Sequence, residues 1–243
     1  MDAPHAPALT LCELADPAVA GFESYSPFCL KVHRAMRAAG LPYVRRHAPR
    51  PATFGHLNPA RQVPVLLVGD EPVSDSTVIL ARLESLGGRS LLPVDAARRA
   101  EALLWEELAD TALNGFVVAA RWADARNWPA VREAYFATMP ALLRRVVPAQ
   151  LRREVIGSLR ARDVWRRGAD ACWARFAVVL DQLDARAPGE GFWLGEALTV
   201  ADVGLFAQLH SLRSPLTPWQ RDQVEARPAL RAWLDRVDAA TRA

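Results

Sequence analysis

The stretch that most constrains this chain is Gln62-Val63-Pro64-Val65-Leu66-Leu67, followed eight residues after Leu67 by Asp75-Ser76. Val63 to Val68 is short, apolar and rich in β-branched residues, which suits a buried strand. A proline at its start removes one ladder donor, so it belongs at a strand entry, an edge or a bulge. A Val-Pro pair entering a buried strand suggests a special turn and a cis peptide. Gly69-Asp70-Glu71-Pro72 then forms a turn, and the spacing of Val78, Ile79 and Leu83 predicts a helix starting near Asp75 or Ser76. The free N–H groups of that helix start favour an anion. Backbone beside such a proline, next to a helix N-terminus, can hold a small peptide that carries a carboxylate. A plain alternative is an ordinary strand-turn-helix of any α/β domain.

The chain has 243 residues, 51% of them hydrophobic, enough for one large or two ordinary domains with a real core. Net charge is only +3, and the basic pI reflects arginine content, since Lys31 is the sole lysine. Arginines are spread except around 144–167, and no nucleic-acid motif accompanies them, so no nucleic-acid partner is expected. Cys12, Cys29 and Cys172 are far apart and have no CxxC or Cys/His spacing, so neither zinc nor a disulfide framework is implied. That suits a reducing cytoplasm. Residues 1 to 8 lack a basic start and an apolar stretch, so no secretory signal is expected there, and no apolar run approaches the ~20 residues that span a bilayer.

Taken in order, residues 8–14 alternate as a strand, and residues 15–25 form a loop containing Pro17 and Gly21. Ser26 is a plausible N-cap, Pro27 suits the first helical position, and Phe28, Val32, Ala35, Met36 and Ala39 keep helical spacing up to Gly40. A second extended segment starts at 41–44, and residues 49–58 are irregular. The resulting βαβ-then-ββα order fits a thioredoxin-like domain over residues 1–86. Residues 87–94, with Gly87, Gly88 and Pro93, read as a linker, and 95–243 as an all-helical domain. Helices are predicted over 95–114, 115–125, 131–147, 149–159, 163–185, 203–212 and 228–240, with Pro129, Pro140, Pro148 and Pro188 marking ends or kinks. Thr199-x-x-Asp202 has capping-box spacing, with Leu198 and Val203 at the staple positions.

These motifs together resemble the glutathione transferase family, over nearly the whole chain. In that family a Val-cisPro pair bonds the cysteinyl backbone of glutathione and an acidic-Ser pair holds its γ-glutamyl end. Val63-Pro64 and Asp75-Ser76 match these. Gly195, Thr199, Ala201 and Asp202 match a Gly-x-x-x-(Ser/Thr)-x-Ala-Asp signature of the family's helical domain. The resemblance implies a catalytic serine three residues before a cysteine, matched by Ser26 and Cys29. Cysteine-type relatives carry Cys at the serine position, and this chain departs from them. Ser26 as a helix cap and Ser26 as a thiolate donor are both open, with Tyr25 and Ser24 as alternative hydroxyls. Cys29 is either a packed thiol or a reactive one.

Gln62, His56 and Arg50 are candidates for the far carboxylate of glutathione. Trp105 and Arg121, with Phe116 and Trp122 nearby, fall on helices that line the electrophile pocket in the family, although aromatics at that spacing are more often core. The resemblance further implies a small hydrophobic co-substrate and a homodimer, for which Phe54 is either a key into the partner or a local core residue. The implied activity is addition of the glutathione thiolate to an electrophile, or double-bond isomerisation. The alternatives are a transferase-fold binding protein without catalysis, and a thiol reductase, against which Ser26 argues.

Overall fold

A computed structural model describes residues 7–15, 17, 19 and 21–242. The expectation about a leader at residues 1 to 8 therefore falls largely outside the described residues, as do positions 16, 18 and 20 of the following loop.

The first region is built from β1 (Leu9–Leu14), α1 (Pro27–Ala38), β2 (Val44–Ala48), β3 (Val65–Val68), β4 (Glu71–Ser74) and α2 (Ser76–Leu83), with a short 3-10 turn at Pro51–Phe54. The four strands form one sheet in the order β2-β1-β3-β4. β1 runs parallel to β2 and antiparallel to β3, placing Leu11 beside Leu66, and β3 pairs antiparallel with β4. This is the thioredoxin-like arrangement that the element order predicts. Val63–Pro64 is a cis peptide. Phe54 is 1% exposed and packs with Cys12, Ala48 and Val65, so it is a local core residue and not a key reaching into a partner.

The rest of the described chain is helical. α3 (Ala96–Leu108), α4 (Asn114–Val118) and the π turns at Ala109–Leu113 and Ala119–Ala123 form one continuous rod, so the break expected between Asn114 and Gly115 is absent. Gly115 is used for packing instead: a Cβ there would sit 3.2 Å from the Val164 side chain. α5 (Trp128–Phe136) and α6 (Ala141–Ala161) replace the predicted 131–147 and 149–159 helices. The break falls at Pro140, whose ψ of 140° is extended, whereas Pro148 is held inside α6. α7 (Ala169–Arg186) starts later than expected, after Gly168 at φ 84°. α8 (Val200–Leu212), α9 (Pro218–Glu225) and α10 (Pro228–Thr241) complete the bundle, and the short polar α9 has no counterpart in the sequence reading.

α8 is apolar on every side and is buried along almost its whole length. It packs against α1, α3 and α10, so the core runs without a break from Leu11, Met36 and Leu66 through Phe206 to Trp233. Its start carries the predicted capping box. The Asp202 carboxylate accepts from Thr199 N (2.9 Å), Thr199 Oγ1 (2.9 Å), Trp193 N (2.7 Å) and Trp233 Nε1 (3.1 Å). Asp202 thus ties the 193–199 turn and α10 to one helix start, which is more than a local cap does.

Candidate functional site

Strand β3 enters the sheet directly after Pro64, and the 58–62 loop ahead of it is shaped by one side chain. Asn58 is 7% exposed, donates from Nδ2 to Gln62 O (3.0 Å) and accepts from Ala60 N (3.0 Å) at Oδ1. Across the sheet edge, Asp75 adopts φ 77° and caps α2, its Oδ1 accepting from Thr77 N (2.9 Å) and Val78 N (3.2 Å). Asp75 therefore occupies N–H groups that were expected to face a ligand. A positive φ at a non-glycine residue is uncommon and clusters at functional sites.

These elements enclose a cavity of about 460 Å³, lined by Gln62, Val63, Pro64, Asp75 and Ser76 together with Phe28 of α1 and Asp110 of the first π turn. That volume lies in the ordinary range for small-molecule sites. Five residues singled out from sequence thus meet in one place. The sequence reading missed Asn58, Thr77, Glu107 and Asp110, which also line it. For Thr77 and Asp110 the signal was Lys31, an isolated lysine in a chain that otherwise uses arginine, whose ammonium reaches both.

Lys31 is fully buried and its ammonium bonds both Glu106 and Asp110. Thr77 Oγ1 donates to Glu106 Oε1 (2.7 Å), and Gln208 Nε2 donates to Asp110 Oδ1 (3.3 Å). One cation faces two carboxylates, so the cluster holds surplus negative charge at the cavity wall. Burial raises the Asp110 carboxyl to about 6, against the attraction of Lys31. A second cavity of about 430 Å³ lies on the other side of Asp110, lined by Thr111, Ala112, Gly115, Val164, Arg162 and Arg175.

Ser26 caps α1 as expected, its Oγ accepting from Cys29 N at 3.3 Å. It is half-buried, two residues before Phe28 of the cavity wall. Cys29 is fully buried, and burial, helped by the nearby Glu13 charge, pushes its thiol up to about 12. A thiol so placed stays protonated at neutral pH, which removes the physical basis for a reactive Cys29. Tyr25 is turned away: its hydroxyl donates to Ala134 O (3.2 Å) and its ring stacks edge-on with Tyr135 (4.7 Å).

Three further candidates lie apart from both cavities. His56 is exposed and outside either lining. Trp105 packs edge-on against Trp193 at 5.2 Å, as part of the core. Arg121 is 3% exposed and bonds main-chain carbonyls. Trp105 and Arg121, expected at the substrate pocket, are both used in packing and line neither cavity. The loop before Ser26 is also pinned through Glu23, which pairs with Arg34 (2.6 Å) and His33 (3.2 Å). Against burial, which raises it, the His33 hydrogen bond and the Arg34 charge bring the Glu23 carboxyl down to about 2.

The geometry defines a class: a thioredoxin-like sheet region joined to a helical region, with a polar cavity at the Val63–Pro64 edge that a helix of the second region closes. A family model described as Glutathione S-transferase N-terminal domain matches residues 27–127, and one described as Glutathione S-transferase, C-terminal domain matches residues 106–236. The chain belongs to the glutathione transferase family. It is similar to Glutathione transferase GST 23 of Zea mays, with 32% identity over 95 residues, covering 37% of this chain and 43% of that protein. This chain therefore matches less than half the length of that relative.

Two solved structures share the fold. The beta-etherase LigF from Sphingobium sp. strain SYK-6 is similar at TM-score 0.67 and 24% identity, covering 97% of each chain. A glutathione S-transferase from Methylobacterium radiotolerans, in complex with glutathione sulfonate, is similar at TM-score 0.60 and 20% identity, covering 96% of this chain and 91% of that one. Among the described residues no helix is long and apolar enough to cross a membrane, and no group of three or more His, Cys, Asp or Glu could hold a metal ion.

Proposed function

We propose that this protein binds glutathione in the Val63–Pro64 cavity and uses its thiolate on a small apolar electrophile, by addition or by double-bond isomerisation. The observation that carries this reading is the meeting of Gln62, Val63, Pro64, Asp75 and Ser76 in one peptide-sized cavity next to the start of α1. Val63 and Gln62 offer backbone to the tripeptide, Ser76 sits at its γ-glutamyl end, and Ser26 donates its hydroxyl to the thiolate. The carboxylates of Glu107 and Asp110 suit the α-ammonium of the same ligand. Residues 1–86 would supply most of the glutathione site, 87–94 the linker, and 95–243 the electrophile pocket, for which the cavity beyond Asp110 is the nearest space.

The chemical task is modest. Free thiols ionise near about 8.5, and lowering that by two units means stabilising the anion by ~2.7 kcal/mol. One hydroxyl bonded to a charged group contributes roughly 1.5–3 kcal/mol. The helix start adds about 0.3–1 kcal/mol. No metal is needed for this step.

The active form is proposed to be a homodimer in a reducing cytoplasm. Leu104 of α3 is 70% exposed and Leu142 of α6 is 77% exposed, apolar side chains available to a second copy. Sedimentation should give a dimer at micromolar concentration, and a monomer there would reject it.

Calorimetric titration with glutathione tests the central reading. Saturable one-to-one binding that Ser76→Ala weakens supports it. Absence of binding by the folded protein would sink it.

A further inference from the structure

We infer that Arg121 is a positioning residue that sets the Ser26 hydroxyl for thiolate stabilisation; this rests on the glutathione reading above. Arg121 is carried on the second π turn of the long rod, 3% exposed. Its Nη1 donates to the Tyr25 carbonyl at 2.7 Å, and its Nη2 donates to the Ser211 carbonyl at 3.0 Å. The guanidinium also lies over the Phe22 ring at 5.2 Å and contacts the Tyr135 hydroxyl. One planar side chain therefore ties the loop before α1 to the end of α8.

The carbonyl that Arg121 holds belongs to the peptide unit whose N–H is that of Ser26. That N–H donates to Ser24 Oγ at 3.3 Å, so the Tyr25–Ser26 peptide is gripped at both its oxygen and its nitrogen. With the plane fixed, Ser26 keeps the extended φ of −100° and ψ of 121° at which its Oγ accepts from Cys29 N. The hydroxyl also meets the Cys29 thiol, a weak acceptor, so its proton can turn to a stronger one. A docked thiolate is such an acceptor.

Charge supports the same assignment. The partners of Arg121 are carbonyls and a phenol rather than carboxylates. A buried guanidinium would ordinarily be paired with an acid. Here two carbonyl dipoles take both Nη groups, while the buried Nε has no hydrogen-bond partner among the described residues, and those carbonyls are the groups that orient the loop. The planar fork makes both bonds at once, which an ammonium on a flexible stem does less well.

The test compares Arg121→Met, Arg121→Lys and Ser26→Ala with the unaltered protein. The pKa of bound glutathione is followed by thiolate absorbance against pH, with glutathione affinity from calorimetry and melting by circular dichroism. Arg121→Met should raise the bound thiol pKa by about one unit and lower the rate about tenfold at neutral pH. Glutathione affinity should stay within a factor of two to three. Arg121→Lys, with one bond restored, should fall between, and it alone decides if Arg121→Met does not fold. In a Ser26→Ala background the Arg121 changes should add nothing further, because they act through that hydroxyl.

An unchanged thiol pKa in Arg121→Lys and Arg121→Met, or effects additive to Ser26→Ala, would overturn the assignment while leaving glutathione binding intact. Absence of glutathione binding by the unaltered protein would overturn the reading of the site and this assignment with it.

Discussion

Lys31 and Asp110 meet charge to charge between α1 and the helical region, the lysine side chain wholly buried and the aspartate at 12% exposure on the cavity wall. Glu106 shares the same ammonium at 2% exposure. Removing one partner from such a cluster leaves uncompensated buried charge, which typically destabilises by about 3–5 kcal/mol. Lys31→Met should therefore lower the urea midpoint sharply, and adding Glu106→Gln should recover part of the loss. A Lys31→Met protein as stable as the parent would show that the cluster contributes nothing.

Ser26→Ala should keep glutathione binding while the rate at pH 7 falls by roughly one to two orders of magnitude, each tenfold being about 1.36 kcal/mol of barrier. Activity should partly recover at higher pH, where the thiol ionises unaided. Cys29→Ala should change neither the bound thiol pKa nor the rate, since that buried thiol is pushed up to about 12. It should cost stability of roughly 1 kcal/mol through the lost sulfur contacts. Loss of activity in Cys29→Ala with retention in Ser26→Ala would hand the reaction to the protein's own thiol.

For Asp202→Ala the expected cost exceeds that of an ordinary cap, which is about 0.5–2 kcal/mol. Its fully buried carboxylate accepts from Thr199, Trp193 and Trp233, and truncation leaves those donors unpaired. A loss above about 2 kcal/mol should appear in chemical denaturation, since each buried donor left unpaired costs about 1–3 kcal/mol, with glutathione affinity of the folded fraction unchanged. Unchanged melting with collapsed turnover would make Asp202 a site residue.

Acid acts with a definite sign at each group: His210 and Glu23 cost stability as pH falls, whereas Asp110 adds some. Raised by burial to about 6 from an ordinary 3.8, Asp110 protonates first in the folded chain and offsets part of the His210 loss. Burial, in balance with the charges of Asp238, Arg34 and Arg213, brings His210 down to about 4 from an ordinary 6.5. The unfolded chain takes up that proton first, so stability is lost as pH falls from 6.5 through 4, by roughly 3 kcal/mol at most. Glu23, held down at about 2 from an ordinary 4.5, contributes stability above 4.5 that is lost as pH falls toward 2. His210→Phe, which keeps the stack on Phe206, should remove the His210 loss between pH 6.5 and 4 and leave the Glu23 loss below it intact. An unaltered pH dependence between 6.5 and 4 in that variant would remove His210 from the account.

The features legible in sequence are those written in local chemistry. Pro27 after Ser26, Thr199 three residues before Asp202, and the β-branched run after Pro64 each act over one turn or one strand, so spacing alone locates α1, α8 and β3. The order of strands and helices then leaves few topologies, and the thioredoxin-like sheet is among them. Gln62, Val63, Pro64, Asp75 and Ser76 were legible for the same reason: they flank one strand and one helix start.

Only tertiary structure decided the rest, because it depended on which distant groups compete for one side chain. Asn114-Gly115 has the composition of a break, yet the rod continues, since Gly115 lets Val164 approach. Arg121 has helical spacing that suits a cavity wall, but the Tyr25 and Ser211 carbonyls, 96 and 90 residues away in the chain, claim its donors. Lys31 is visible in sequence only as an oddity of composition. Its two carboxylates lie 75 and 79 residues downstream, and folding α1 against the rod is what turns that oddity into the charged wall of the cavity.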